Sequence, residues 1–177
     1  MIRTLAIAAA SFAFSAYAQC QAASNFQMTF YAWPDNDPPS ADTAMNCGGR
    51  NNVAGGTGTF DDPLTMAAEK GRFTNCQVVY APYLKKYLRL EDTCAACTGD
   101  WVDVWTGPNN GDAGAGLSEC ELSLTGGDKA DHPLVINPPN NLEVNSADLF
   151  SSGQCNTQHT FPTNVLANAS SSILRGE

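Results

Sequence analysis

A chain of 177 residues with 18 acidic against 9 basic side chains carries a formal charge of -9, and such a surface repels phosphate backbones and anionic lipid. Nucleic acid and membrane surfaces are therefore not expected partners, whereas neutral glycans carry no such penalty. With 15 glycines and 10 prolines, no long helical periodicity and no internal repeat, the chain reads as one loop-rich domain.

The sequence opens on Met1-Ile2-Arg3, runs uncharged over 5–18 and closes that stretch with Ala16-Tyr17-Ala18. A basic start, a short apolar middle and a small-residue end describe a secretory signal peptide over 1–18, too short for a membrane anchor. A second cleavage register, after Ala22, would extend it to 22. The expected mature protein is secreted, extracellular and monomeric. Cleavage after Ala18 keeps Cys20, and cleavage after Ala22 removes it. In either case Cys47, Cys76, Cys94, Cys97, Cys120 and Cys155 are expected to form three disulfides, with Cys20 removed or unpaired. An oxidising compartment favours such an even set, but spacing alone does not set connectivity.

Residues 27–31 alternate, with Met28 and Phe30 on one face and Thr29 and Tyr31 on the other, as a half-buried strand does. Residues 34–58 are rich in proline and glycine and read as loop. Asp61-Asp62-Pro63 has the look of a helix start, predicting a short helix over 64–69 that Gly71 ends. Strands are predicted at 77–81 and 87–91, joined by a turn around Pro82 to Lys86, and again at Trp101 to Trp105 before Gly107-Pro108. Residues 109–116 form a glycine-rich loop, and 119–124 and 142–144 read as strands. A tail begins near Gln154, with Cys155 tying its start to the body. Short strands at close spacing with one or two small helices predict an all-β barrel over 24–155 and a C-terminal tail over 156–177. Asn168-Ala169-Ser170 in that tail is a glycosylation acceptor.

Trp101-Val102-Asp103-Val104-Trp105 is the most informative segment. In a strand, Trp101, Asp103 and Trp105 share one face while Val102 and Val104 point into the core. Indoles stack on sugar faces, and two of them would desolvate Asp103, raising its pKa so that it serves as a general acid. The alternative is a structural aspartate bonded to nearby backbone. Asp92 falls at a strand tip, either as a functional carboxylate or as an acceptor of loop N–H groups beside Cys94. Trp33-Pro34-Asp35-Asn36-Asp37 supplies an aromatic and two acids; Asp35 or Asp37 is either a general base facing Asp103 or ordinary turn chemistry. In glycosidases two carboxyls about 5 Å apart give retention, and roughly 6.5–9.5 Å gives inversion. Cys94-Ala95-Ala96-Cys97 has redox-motif spacing, yet lacks a βαβ context, and His132 and His159 alone cannot complete a convincing zinc set, so a structural disulfide is expected. Ser118 lies outside any nucleophile elbow, and Gly55 to Gly58 lacks a phosphate-loop lysine. No metal or cofactor is expected.

Taken in order, several of these pieces resemble the six-stranded double-psi β-barrel of expansins, family 45 endoglucanases and the lytic-transglycosylase 3D domain. Thr29-Phe30-Tyr31 is similar to the Thr-x-Tyr strand that opens the first two. Asp61-Asp62-Pro63 with Val78-Val79-Tyr80-Ala81-Pro82 is similar to the Asp-Pro…Val-Tyr-Val-Pro run of the third, Asp92-Thr93 falls at its Asp-Thr, and Asp103 falls at its catalytic aspartate. The resemblance covers about Gln27 to Gly107, and the chain also resembles small secreted fungal proteins. It implies that Asp103 is the catalytic acid or its expansin equivalent, supported by Asp92, Thr29 and Tyr31. No histidine precedes the acid here, and the endoglucanase Tyr-Trp-Asp base motif is present only as Tyr31-Ala32-Trp33-Pro34-Asp35. The expected function is action on a wall polysaccharide: cellulose, β-glucan, chitin or peptidoglycan. Asp103 would protonate a glycosidic oxygen, Asp35 would activate water, and Tyr31, Trp33, Trp101 and Trp105 would hold sugar rings. The alternatives are an expansin-like binder that loosens glycan without cutting it, and a secreted effector that binds a host protein.

Overall fold

The computed structural model describes residues 21–107, 116–126 and 131–162. Six strands close into a barrel: β1 (Gln21–Tyr31), β2 (Leu64–Ala68), β3 (Val78–Ala81), β4 (Lys86–Thr93), β5 (Trp101–Trp105) and β6 (Asp131–Ile136), in the order β1-β5-β2-β4-β3-β6. β1 runs parallel to β5, and β2 to β4, while the remaining neighbours are antiparallel. A small pair, β7 (Phe150–Ser151) and β8 (Gln154–Cys155), sits outside the barrel, as does the helix α1 (Leu117–Thr125). The expected all-β barrel is therefore present, with a single α-helix among the described residues.

Alternation builds the core. Phe26, Met28 and Phe30 of β1 are buried between the partly exposed Gln27 and Thr29, and Val102 and Val104 of β5 are fully buried. β2 is buried along its whole length, as befits a strand with barrel neighbours on both edges. The predicted helix over 64–69 is this strand. Asp62 and Pro63 cap a loop instead of a helix. The Asp62 carboxylate accepts the Thr57 N–H at 2.9 Å, and its carbonyl accepts the N–H groups of Thr57 and Gly58. Gly56 belongs to that loop at φ +100, and a Cβ there would stand 2.1 Å from the Pro63 carbonyl oxygen.

Further expectations are corrected. Residues 119–124 belong to α1: Leu117, Cys120, Leu124 and Thr125 are its buried residues, at helical spacing, and Gly126 closes it in the left-handed region. Residues 142–144 form no strand. Tyr80 donates its hydroxyl to the Glu143 carbonyl at 2.7 Å, and the Tyr87 hydroxyl accepts the Leu142 N–H at 2.9 Å, so tyrosines stand in for a neighbouring strand. β6 closes the barrel over residues to which the sequence reading assigned no element, and it carries Pro133, a residue that a central strand ordinarily excludes. Its register skips between Ala23 and Phe26 of β1, opposite Leu134 and His132, so the proline lies at a bulge. β1 begins at Gln21, ahead of the expected boundary at 24, and the start of the expected tail rests on the body, since Phe161 donates its N–H to the Tyr83 carbonyl at 2.6 Å.

The six cysteines pair as Cys47–Cys76, Cys94–Cys97 and Cys120–Cys155, as the even count suggested. Two of them close loops of 29 and 35 residues, and each removes roughly 3–4 kcal/mol of unfolded-state freedom in the chain-entropy account. Cys94–Cys97 spans only 3. The expected signal segment 1–18, Cys20 and Asn168 lie outside the described residues.

Candidate functional site

The parallel pairing of β1 with β5 sets Thr29 opposite Asp103 and Gln27 opposite Trp101. Because strand side chains alternate, this register turns Trp101 and Asp103 to one side, where both reach Thr29. The Trp101 Nε1–H donates to Thr29 Oγ1 at 2.8 Å, and that hydroxyl donates to Asp103 Oδ1 at 2.7 Å. The indole thus fixes the direction in which the hydroxyl donates. Burial is the main reason that the Asp103 pKa rises from its ordinary 3.8 to about 6; the Thr29 bond opposes the rise and the charge of Asp35 adds to it. Asp103 is half-buried, neither sealed in the core nor freely solvated.

Asp35 ends a 3-10 turn, Trp33–Asp35, which follows directly from β1 with Pro34 in its first turn. Its Oδ2 accepts the Ala32 N–H at 2.7 Å, and the residue is exposed. Facing it is Glu121 on α1, which the sequence reading missed. Burial raises the Glu121 carboxyl from 4.5 to about 8, followed by the charge of Asp35, a hydrogen bond shared with Asp35 and the charge of Asp103; the Thr106 hydroxyl works the other way. Its Oε1 is enclosed, with no hydrogen-bond partner among the described residues. Asp35, Asp103 and Glu121 therefore form one electrostatic group, and at neutral pH Glu121 holds a proton. Glu121 sits one helical turn beyond Leu117, on the edge of the buried stripe. That position was visible once 117–125 is read as helix, and hidden while 119–124 is read as strand. A concavity of about 670 Å³ opens beside α1, lined by Thr29, Phe30, Asp35, Ser118, Glu121, Leu122 and Thr125; Leu122 is 72% exposed, and Asp103 reaches this concavity only through Thr29, which both borders it and bonds Asp103.

Asp92 stands at the end of β4 and is buried. Its Oδ1 accepts the N–H groups of Ala44 at 3.1 Å and Thr93 at 2.8 Å, and its Oδ2 lies 3.5 Å from the donating Tyr31 hydroxyl. Burial raises its pKa in spite of these bonds. This is the loop-holding arrangement that the sequence offered as one of two roles for Asp92. Tyr31 is 5% exposed; burial, and then the neighbouring Asp92 and Asp103, push its phenol well above the usual range. Its ring meets Trp105 edge-on at 5.2 Å.

The expected outward face of β5 is only half realised. Trp101 is half-buried, but Trp105 is 2% exposed, in the core cluster that also holds Tyr31, Leu149 and Phe150. Trp105 and Tyr31 are thus core residues and cannot lie flat against a sugar ring. Trp33 is half-buried and packs against the core. Asp37 is exposed. Asp103 also has an unexpected neighbour: the sulfurs of Cys94 and Cys97 and a carboxylate oxygen of Asp103 all fall within 4.8 Å of one another. The two histidines stand elsewhere. His132 stacks on Tyr83 with ring centroids 3.7 Å apart, and His159 Nδ1 lies 2.7 Å from the Asp148 carbonyl.

Fold and site together define a closed six-stranded barrel with a half-buried carboxyl cluster beside its first strand. The chain belongs to the family described as the DDB_G0273701 N-terminal domain, which matches residues 23–156 and so takes in all the barrel strands but the first two residues of β1. It is 33% identical over 138 residues to a protein of Dictyostelium discoideum titled "Uncharacterized protein DDB_G0273701/DDB_G0273221", covering 73% of this chain. The chain spans 58% of that relative's length. No solved structure matches the chain.

Proposed function

We propose that the protein is secreted and acts on a neutral cell-wall polysaccharide, with Asp103 as the general acid that protonates a glycosidic oxygen. One observation carries this reading: Asp103 holds its proton up to about pH 6, on a half-buried site oriented by Thr29 and Trp101. A general acid is most useful when its pKa lies near the working pH, and carboxyls pushed to different pKa values are how one site divides acid from base. Asp35, exposed next to it, is the group placed to activate water, and Glu121, neutral until about pH 8, is a second proton store. Mixed parallel and antiparallel pairing in a closed six-stranded barrel supports the double-psi reading. The acidic surface favours uncharged glycans, and three disulfides and the leader-like first 18 residues support export.

The site grips sugar less broadly than the sequence suggested. With Trp105 and Tyr31 buried, Trp101 and Trp33 are the partly exposed members of the expected sugar-binding set, Trp101 being tied to Asp103 through Thr29, and the concavity that Leu122 borders supplies further apolar surface. Short contact with one or two rings suits a single-acid, lytic type of cleavage more than a long processive cleft. Release of new reducing ends or anhydro ends from cellulose, β-glucan, chitin or peptidoglycan is the direct assay. Asp103→Asn is expected to lower that release by about a hundredfold or more. Equal release by the variant would overturn the assignment; retention on insoluble glycan without any release would point to the non-cutting binder, and absence of both to the protein-binding effector.

A further inference from the structure

We propose that the Cys94–Cys97 disulfide is a redox centre that oxidises a peptide or protein dithiol, with Cys94 as the sulfur under attack and the Asp103 carboxyl exchanging the proton of Cys97. The pair is poorly suited to stapling, since it spans 3 residues where the other two disulfides span 29 and 35. Its two sulfurs are unequally placed. Cys94 is half-buried, whereas Cys97 is 2% exposed, so an incoming thiolate reaches the first and the second is protected as the leaving and resolving sulfur. The Cys97 N–H points at Cys94 Sγ at 3.1 Å, a bond that strengthens when Cys94 becomes a thiolate. A concavity of about 620 Å³ lies in front, bordered by Met45, Glu69, Lys70, Thr93 and Cys94, with Cys97 at its floor, so a carboxylate and an ammonium group stand together beside the disulfide. Behind the sulfurs stands Asp103, within 4.8 Å of both.

The exchange balances without an added oxidant. A substrate thiolate attacks Cys94 Sγ, the Cys94–Cys97 bond breaks, and Cys97 leaves with the electron pair and takes the Asp103 proton. Asp103, now a carboxylate, accepts the proton of the substrate's second thiol. That thiolate attacks the substrate sulfur of the mixed disulfide and releases Cys94 as a thiolate, which takes a proton from water. The substrate loses two electrons and becomes a disulfide; Cys94 and Cys97 gain them and become thiols. Asp35, Glu121 and Tyr31 are the titratable groups coupled to Asp103 and bias its proton, while the Thr29 hydroxyl donates to its Oδ1.

The test equilibrates the full oxidised chain in glutathione buffers of graded ratio, followed by acid quench, thiol tagging and peptide mass spectrometry. Cys94 and Cys97 are expected to open together and reversibly while Cys47–Cys76 and Cys120–Cys155 stay closed and circular dichroism is unchanged. The oxidised chain is also expected to convert a dithiol peptide to its disulfide, and Asp103→Asn to slow that exchange about tenfold or more and remove an inflection near pH 6 from its rate profile. A pair that resists opening until the other two have opened, or that opens without oxidising the peptide, overturns the proposal. So does an unchanged exchange rate in Asp103→Asn. Should that variant fail to fold, Cys97→Ser decides: trapping of glutathione on Cys94 supports the centre, and no adduct contradicts it. Glycan cleavage is read separately by reducing ends, so either assignment fails without the other.

Discussion

At Asp103 function and stability pull in opposite directions. Its pKa in the folded chain, about 6, exceeds its ordinary 3.8. A carboxyl of this kind supports folding while protonated, so the support is complete below about pH 4 and is lost as pH rises through about 6. Glu121 behaves alike between 4.5 and about 8. Asp103→Asn, which keeps the shape and an oxygen for Thr29, is therefore expected to raise Tm near pH 7.5 and to change it little at pH 4; scanning calorimetry at the two pH values measures this. An equal Tm change at both would deny the burial cost. Thr29 acts through Asp103, and its bond lowers the acid's pKa. Thr29→Val is expected to move the alkaline limb of the pH–activity profile upward and to cost about 1–2 kcal/mol of stability by leaving the Trp101 N–H unmet. A lowered limb would contradict the role. Thr29 and Asp103 were readable from alternation in two short strands. Glu121 was not, because Glu119 to Leu124 alternates well enough to pass for a strand.

Among the elements, β2 depends on a buried charge network that no motif announced. Glu91 is 3% exposed; it pairs with Arg50, with Arg89 at 2.6 Å and with the Thr65 hydroxyl, while Arg50 also pairs with Asp62 at 2.7 Å. This ties β2 and β4 to the loop before β2, and it explains how a sequence with helix-start signals is held as strand. Glu91→Ala would leave two guanidinium groups with an unmet partner and is expected to cost about 3–5 kcal/mol in urea unfolding. A loss under about 1 kcal/mol would mean the network is no better than a surface pair. Strands β1, β3, β4 and β5 were legible because their own residues carry the pattern. β6 was not, since its proline is tolerated only at a bulge set by β1, a partner more than a hundred residues away in sequence. The burial of Trp105 was equally hidden: it belongs to a core cluster drawn from distant segments, including Leu149 and Phe150, which local alternation does not see.

For the whole molecule, an acidic, disulfide-held barrel presents a half-buried acid that is coupled to the carboxyls of Asp35 and Glu121 and lies close to a short disulfide ring. The all-β class and the three-disulfide count could be argued from composition and spacing, and the Thr29–Asp103 pair from the resemblance to double-psi barrels. The geometry around them came from closure of the barrel, which brings residues 29, 35, 94, 103 and 121 together from five separate segments. Both proposed activities draw on the same proton, held by Asp103. Isotope-edited NMR of the aspartate side-chain carboxyl carbons, with the Asp103 resonance assigned by its loss in Asp103→Asn, follows that proton directly as pH is raised. A midpoint near 6 is predicted; a midpoint near the ordinary 3.8 would show an acid already ionised wherever the protein works, and would contradict the account.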